Sequence, residues 1–113
     1  MSKSELIKLI NNSLPFAMIS KVILFGSYAK ENQTKDSDVD LLVVTNDNFI
    51  PASFAEKMQL KLKIAESLYL IRQQSDIDLL VYTKPMYEKF IEMDGSFKRE
   101  ILNTGTIIYE ANN

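Results

Sequence analysis

Two seven-residue stretches of this chain are nearly the same: Ser37 to Val43 reads SDVDLLV, and Ser75 to Val81 reads SDIDLLV. Each starts polar and ends in an apolar run of the length of a buried strand. Side chains two apart on a strand share a face. Asp38 and Asp40 are therefore expected to point one way together, and so are Asp76 and Asp78. Two carboxylates on one face repel, and partial burial worsens the repulsion. A lone Asp-x-Asp is more often a solvated strand end than a ligand pair. Its repetition ahead of a second buried strand changes that balance. If the two strands are neighbours, three or four carboxylates meet at one edge of a sheet. That arrangement suits one or two hard divalent ions, since Mg²⁺ is commonly held by a couple of carboxylates plus substrate phosphates.

Composition narrows the chemistry further. The 113 residues contain no His and no Cys. Imidazole general bases, thiolate nucleophiles, disulfides and thiolate zinc sites are thereby excluded. Carboxylate and hydroxyl remain, and five of the seven Asp lie in the two repeated regions, at positions 36, 38, 40, 76 and 78. The formal charge of −2 argues against general nucleic-acid binding, which needs a basic face. No apolar run reaches the ~18 residues of a membrane span. With Glu5 and other polar residues where a signal peptide is apolar, a cytoplasmic protein is expected.

Ser2 and Glu5 have capping-box spacing and are followed by Leu6, Ile7, Leu9 and Ile10, which predicts a helix from about Ser4 to Asn12. Val22 to Phe25 reads as a buried strand, Gly26 to Lys30 as a helical turn, and Glu31 to Ser37 as a loop. Asp38 to Val44 is a second strand, apolar on both faces in its second half. A long helix is expected from Phe54 to about Ile71, with Ser53 or Ala52 at its boundary. Ile77 to Tyr82 is a third strand. A helix from Pro85 to about Met93, a shorter one from Phe97 to Leu102, a stop at Gly105 and a strand from Thr106 to Tyr109 complete the chain. The order predicts an α/β (α+β) fold with a small mixed sheet flanked by helices, as one domain over 1–113.

Upstream of the first acidic strand, Gly26-Ser27 ends a strand and opens a helical turn. Free N–H groups there can donate to a phosphate, and glycine lets the backbone come close. A Gly-Ser pair alone is weak, because such pairs mark many turns. Beside acidic strands it fits phosphoryl or nucleotidyl transfer. On the long helix, one apolar row is Phe54, Met58, Leu62, Ala65 and Tyr69, and another is Leu60, Ile64, Leu68 and Ile71. Together they exceed the stripe of an ordinary surface helix. Packing between sheet and neighbour helix explains this best; the sharper reading leaves one row for a partner, and the Leu60–Ile64–Leu68 row is the one expected to meet it. Lys57, Lys61, Lys63 and Arg72 read first as a solvated face.

Phe25 to Val44, FGSYAKENQTKDSDVDLLVV, resembles the signature of the DNA polymerase β-like nucleotidyltransferase superfamily, and its Gly-Ser, ten residues, Asp-x-Asp spacing matches the minimal nucleotidyltransferases. The resemblance implies a polymerase β palm-like fold. It implies that Gly26 and Ser27 hold nucleotide β/γ phosphates and that Asp38 and Asp40 bind Mg²⁺. Asp78 would bind the second of two ions, Mn²⁺ being a substitute, and help deprotonate the attacking hydroxyl; Asp76 is the alternative third carboxylate. Glu31 stands where many members carry Gly. The small size resembles the antitoxins paired with HEPN-domain toxins, whose implied activity is transfer of AMP from ATP, or NMP from another NTP, to a toxin tyrosine. Partners implied are thus an NTP, a HEPN-type toxin and a homo- or hetero-oligomer. A non-catalytic binding antitoxin is the alternative, and a small-molecule or RNA nucleotidyltransferase is disfavoured by the lack of an acceptor domain.

Overall fold

The computed structural model describes residues 1–111. A helix α1 (Lys3–Ser13) leads through a 3-10 turn at Phe16–Met18 into β1 (Ile19–Phe25), followed by α2 (Gly26–Lys30) and β2 (Val39–Thr45). Then come α3 (Phe54–Ser67), α4 (Tyr69–Arg72), β3 (Ile77–Tyr82), α5 (Lys84–Glu92), α6 (Ser96–Thr104) and β4 (Thr106–Glu110). The four strands form one sheet in the order β3-β2-β1-β4. β1 runs antiparallel to both β2 and β4, while β2 and β3 are parallel, so the sheet is mixed as expected. None of the described helices is long and apolar enough to cross a membrane.

The local signals act as their chemistry requires. The Ser2 hydroxyl accepts from the Glu5 N–H and the Glu5 carboxylate accepts from the Ser2 N–H, closing the capping box of α1. Of the two candidate boundaries for α3, Ser53 is the cap, its hydroxyl accepting from the Glu56 N–H.

The single long helix expected to Ile71 is two helices. The Ser67 hydroxyl donates to the Ile64 carbonyl at 2.6 Å, and the Leu68 N–H bonds back to Ala65 rather than to Ile64. Such side-chain back-bonding competes with the helical ladder and bends it. The chain breaks at Leu68 and resumes as α4. This turn lets Leu68 and Ile71 both reach the core, where each is fully buried. Burial of an aliphatic side chain of that size is worth roughly 1.5–3 kcal/mol before entropy is counted.

The two faces of the sheet are covered unequally. Val39, Leu41 and Val43 of β2 face the larger core with Leu6, Ile10, Ile64, Leu68 and Ile71 from α1, α3 and α4. The alternate residue Leu42 joins Ile23, Phe25 and Ile101 in a smaller cluster under α5 and α6. No residue of α5 is fully buried. Strand parity puts Asp40 and Asp78 on this thinly covered face.

The rows expected on the long helix are divided between α3 and α4. Ile64, Leu68 and Ile71 are core, whereas Phe54 is 78% exposed, Leu62 55% and Tyr69 63%. The Leu60–Ile64–Leu68 row is therefore not a partner surface. Its residues meet the sheet first, and the more exposed apolar side chains belong to the other row.

Candidate nucleotidyl-transfer site

The two repeated stretches lie side by side. In the parallel ladder Val39 pairs with Ile77, Asp40 with Asp78, Leu41 with Leu79, Leu42 with Leu80 and Val43 with Val81. The first residues are also joined, the Ser75 hydroxyl donating to the Ser37 carbonyl at 3.2 Å. Asp40 sits opposite Phe25 on its other side. Phe25 is the last residue of β1, so the next residue, Gly26, is delivered to the Asp40 carboxylate. Gly26 has φ of +72°, and a Cβ there would overlap the Asp40 Oδ2 atom. Both the backbone conformation and the close approach demand glycine.

Asp40 is half-buried, whereas Asp38 and Asp78 are exposed. Burial, and then the charges of Asp78, Asp38 and Glu100, push the Asp40 carboxyl up to about 6. Asp38 stands one residue before β2. With Asp76, Lys35 and Arg72 it lines a shallow polar hollow of about 330 Å³. Asp76 is exposed, and its carbonyl accepts the Val39 N–H at 2.8 Å. Ser27, second residue of α2, is half-buried, and among the described residues no protein hydrogen bond engages its hydroxyl. Tyr28, the residue after Ser27, is buried in the larger core and packs there.

One acidic neighbour carries no motif. Glu100 on α6 raises Asp40 and pairs with Lys30 of α2 at 3.5 Å. It lies 60 residues from Asp40 in sequence, within an amphipathic helix, and only the fold of α6 over β1 and α2 brings it near. Glu31 caps α2 in the left-handed conformation, φ 59°, which is the geometric reason a glycine suits that position.

The polymerase beta nucleotidyltransferase family model matches residues 5–113. The chain belongs to this nucleotidyltransferase family. It is thereby an enzyme of the class that transfers nucleotidyl groups. A Methanocaldococcus jannaschii protein named "Putative protein adenylyltransferase MJ0604" is 30% identical over 92 residues, 80% of this chain and 79% of the relative. A second from the same organism, "Putative protein adenylyltransferase MJ0141", is 35% identical over 74 residues, 66% and 70% of the two chains. Among solved structures, a toxin-antitoxin with AMP-PNP covers 98% of this chain and 75% of its own, with TM-score 0.52 and 21% identity. A mutant of the MntA-HpeT toxin-antitoxin matches with TM-score 0.51 and 20% identity, over 98% and 75%. Both likenesses are of fold. In this nucleotidyltransferase the two copies of the repeat are adjacent parallel strands.

Proposed function

We propose that residues 1–113 form one nucleotidyltransferase domain that moves AMP from ATP to a hydroxyl of a partner protein, a tyrosine of a HEPN-type toxin being the first candidate. The observation that carries this is the register of Asp40 against Asp78 with Gly26 closed onto Asp40. An ATP-dependent reaction fits a cytoplasmic protein.

The family implies Mg²⁺, and the donor chemistry fits. The candidate ligands Asp38, Asp40 and Asp78 offer only hard oxygen atoms, and the upward shift of Asp40 is strain that a cation would relieve. Among the described residues no three acidic side chains close on one point as a ready-made cage. Mg²⁺ does not require one, because substrate phosphates and water complete its octahedron. When bound, the ion supplies charge neutralisation to the phosphates and the attacking oxygen.

Gly26 and Ser27 would hold the β/γ phosphates through the free N–H groups at the start of α2 and the unengaged Ser27 hydroxyl. The acceptor oxygen forms its bond to the α-phosphorus while the bond to the bridging β-phosphate oxygen breaks. Pyrophosphate leaves, and the hydroxyl proton passes to the exposed Asp78 carboxylate or to water beside it. Names of relatives as protein adenylyltransferases support a protein acceptor.

A second reading, neutralisation by contact alone, is favoured by the exposed apolar residues Phe54, Leu62 and Tyr69. Co-expression of the partner with wild type or Asp40→Asn, followed by intact-protein mass spectrometry, separates the two. Transfer predicts an added AMP mass with wild type only, and neutralisation lost in the variant. Neutralisation by Asp40→Asn equal to wild type would leave contact as the activity.

A further inference from the structure

The sheet stops at β3, which has β2 on one side and no strand among the described residues on the other. A free strand edge is a row of main-chain donors and acceptors able to pair with another chain. Here the edge is flanked by hollows. Between α3 and the run Leu79 to Tyr82 lies a cavity of about 310 Å³, with Phe54, Lys57, Met58 and Lys61 on its helical wall. Toward α5 and α6 lies another of about 400 Å³, walled by Met86, Lys89, Phe90, Met93 and Phe97. Lys57 and Tyr82 line both, so the two make one trough along the strand edge.

The trough is apolar with a basic rim. Phe54 is 78% exposed and Met93 70%. Lys57, Lys61 and Lys89 are exposed and form no ion pair among the described residues. Three such lysines on one groove run against the charge of −2 of the whole chain. β3 links the trough to the site. Asp78, Leu80 and Tyr82 alternate along one face of β3 at roughly 7 Å per two residues. Tyr82 contacts Phe90 at 5.6 Å, Phe90 contacts Phe97 at 5.8 Å, and Phe97 meets Phe25, the residue before Gly26, at 5.5 Å.

We propose that this trough docks the acceptor as an extended, acidic polypeptide segment that adds as a strand along β3. Its main chain pairs with the free edge, its carboxylates meet Lys57, Lys61 and Lys89, and alternate apolar side chains enter the two hollows. The hydroxyl is delivered at Asp78. The proposal rests on the reading of a protein acceptor. A strand edge pairs with a peptide main chain and not with a sugar–phosphate backbone, which together with the acidic whole favours polypeptide over nucleic acid.

The test is a library of tyrosine-centred peptides with randomised flanks, incubated with the full chain, Mg²⁺ and ATP, and read by mass spectrometry for added AMP. Wild type is expected to enrich Asp and Glu beside the tyrosine. The double variant Lys57→Glu, Lys61→Glu is expected to lose or invert that preference. On an acidic peptide its kcat/KM falls roughly fivefold or more, carried by KM. Its melting shift with MgATP stays as in wild type, which shows it folded and nucleotide-competent. An absent acidic preference, or one unmoved by the charge reversal, overturns the groove and leaves transfer to proteins standing. Labelling of no peptide by an enzyme that binds MgATP removes the protein-acceptor reading and the groove with it, and labelling of a short single-stranded RNA instead would assign the trough to nucleic acid.

Discussion

Asp40 and Asp78 face each other directly across the parallel ladder between β2 and β3. Like charges so placed destabilise a sheet. Asp40 bears the larger consequence because it is half-buried while Asp78 is exposed. The protein holds a repulsive pair at the point where Gly26 brings the backbone nearest.

Burial of Asp40, and after it that repulsion, set a pH dependence. The Asp40 carboxyl is raised from 3.8 to about 6, so the folded state binds this proton more tightly than the unfolded chain. Its contribution to stability is present below about pH 4 and is lost as pH rises through about 6. Asp40→Asn, measured without divalent ions, should melt close to wild type near pH 4 and roughly 2–5 °C above it near pH 8. Melting curves for the two proteins that stay parallel across this range would contradict the assignment. The same variant should lose nucleotidyl transfer.

Gly26→Ala should cost both stability and activity. The new Cβ meets the Asp40 carboxylate, and φ of +72° strains any L side chain. A loss of roughly 1–3 kcal/mol is expected in urea unfolding. Gly95→Ala is the control, because nothing lies within 4 Å of a Cβ there, and it should stay within about 0.5 kcal/mol of wild type. Equal effects at the two glycines would sink the close-approach argument.

The two apolar rows of α3 should respond differently to truncation. Ile64 is 1% exposed and Leu62 55%. Ile64→Ala should lose roughly 2–5 kcal/mol through the cavity it leaves. Leu62→Ala should change stability by no more than about 0.5 kcal/mol. Chemical denaturation of both variants checks this, and a costly Leu62→Ala would mean that the outer row is covered in solution.

Glu31 occupies the left-handed region at φ 59°. That conformation costs a non-glycine residue roughly 1–2 kcal/mol, offset in part by the greater unfolded-state freedom of glycine. Glu31→Gly should be neutral or gain up to about 1 kcal/mol, and Glu31→Val should lose about 1 kcal/mol or more. Thermal melts that rank valine at or above glycine would refute this account of the α2 cap.

Much of the fold was legible because its signals are local. The Ser2–Glu5 box, the Ser53 cap and the apolar runs each act within a few residues, and the four strands lie where period and turn chemistry put them, except that β1 starts three residues earlier, at Ile19, where the polar Ser20 and Lys21 hid it. The one misread helix, Phe54 to Ile71, failed for a reason of the same short range. The Ser67 hydroxyl outcompeted the helical bond at the Ile64 carbonyl, and apolar spacing carries no mark of that.

The sequence by itself determined the candidate carboxylates and the alternation within β2 and β3 that sets Asp40 with Leu42 and Asp78 with Leu80, because that alternation follows from backbone geometry alone. Only the tertiary structure decided that the two repeats lie in register, that Asp40 is half-buried while Asp38, Asp76 and Asp78 are exposed, and that Glu100 joins them. It also decided which row of α3 became core and which edge of the sheet stayed open. Those choices depend on which surfaces meet across long chain separations, where burial and charge are summed over neighbours that no local pattern names.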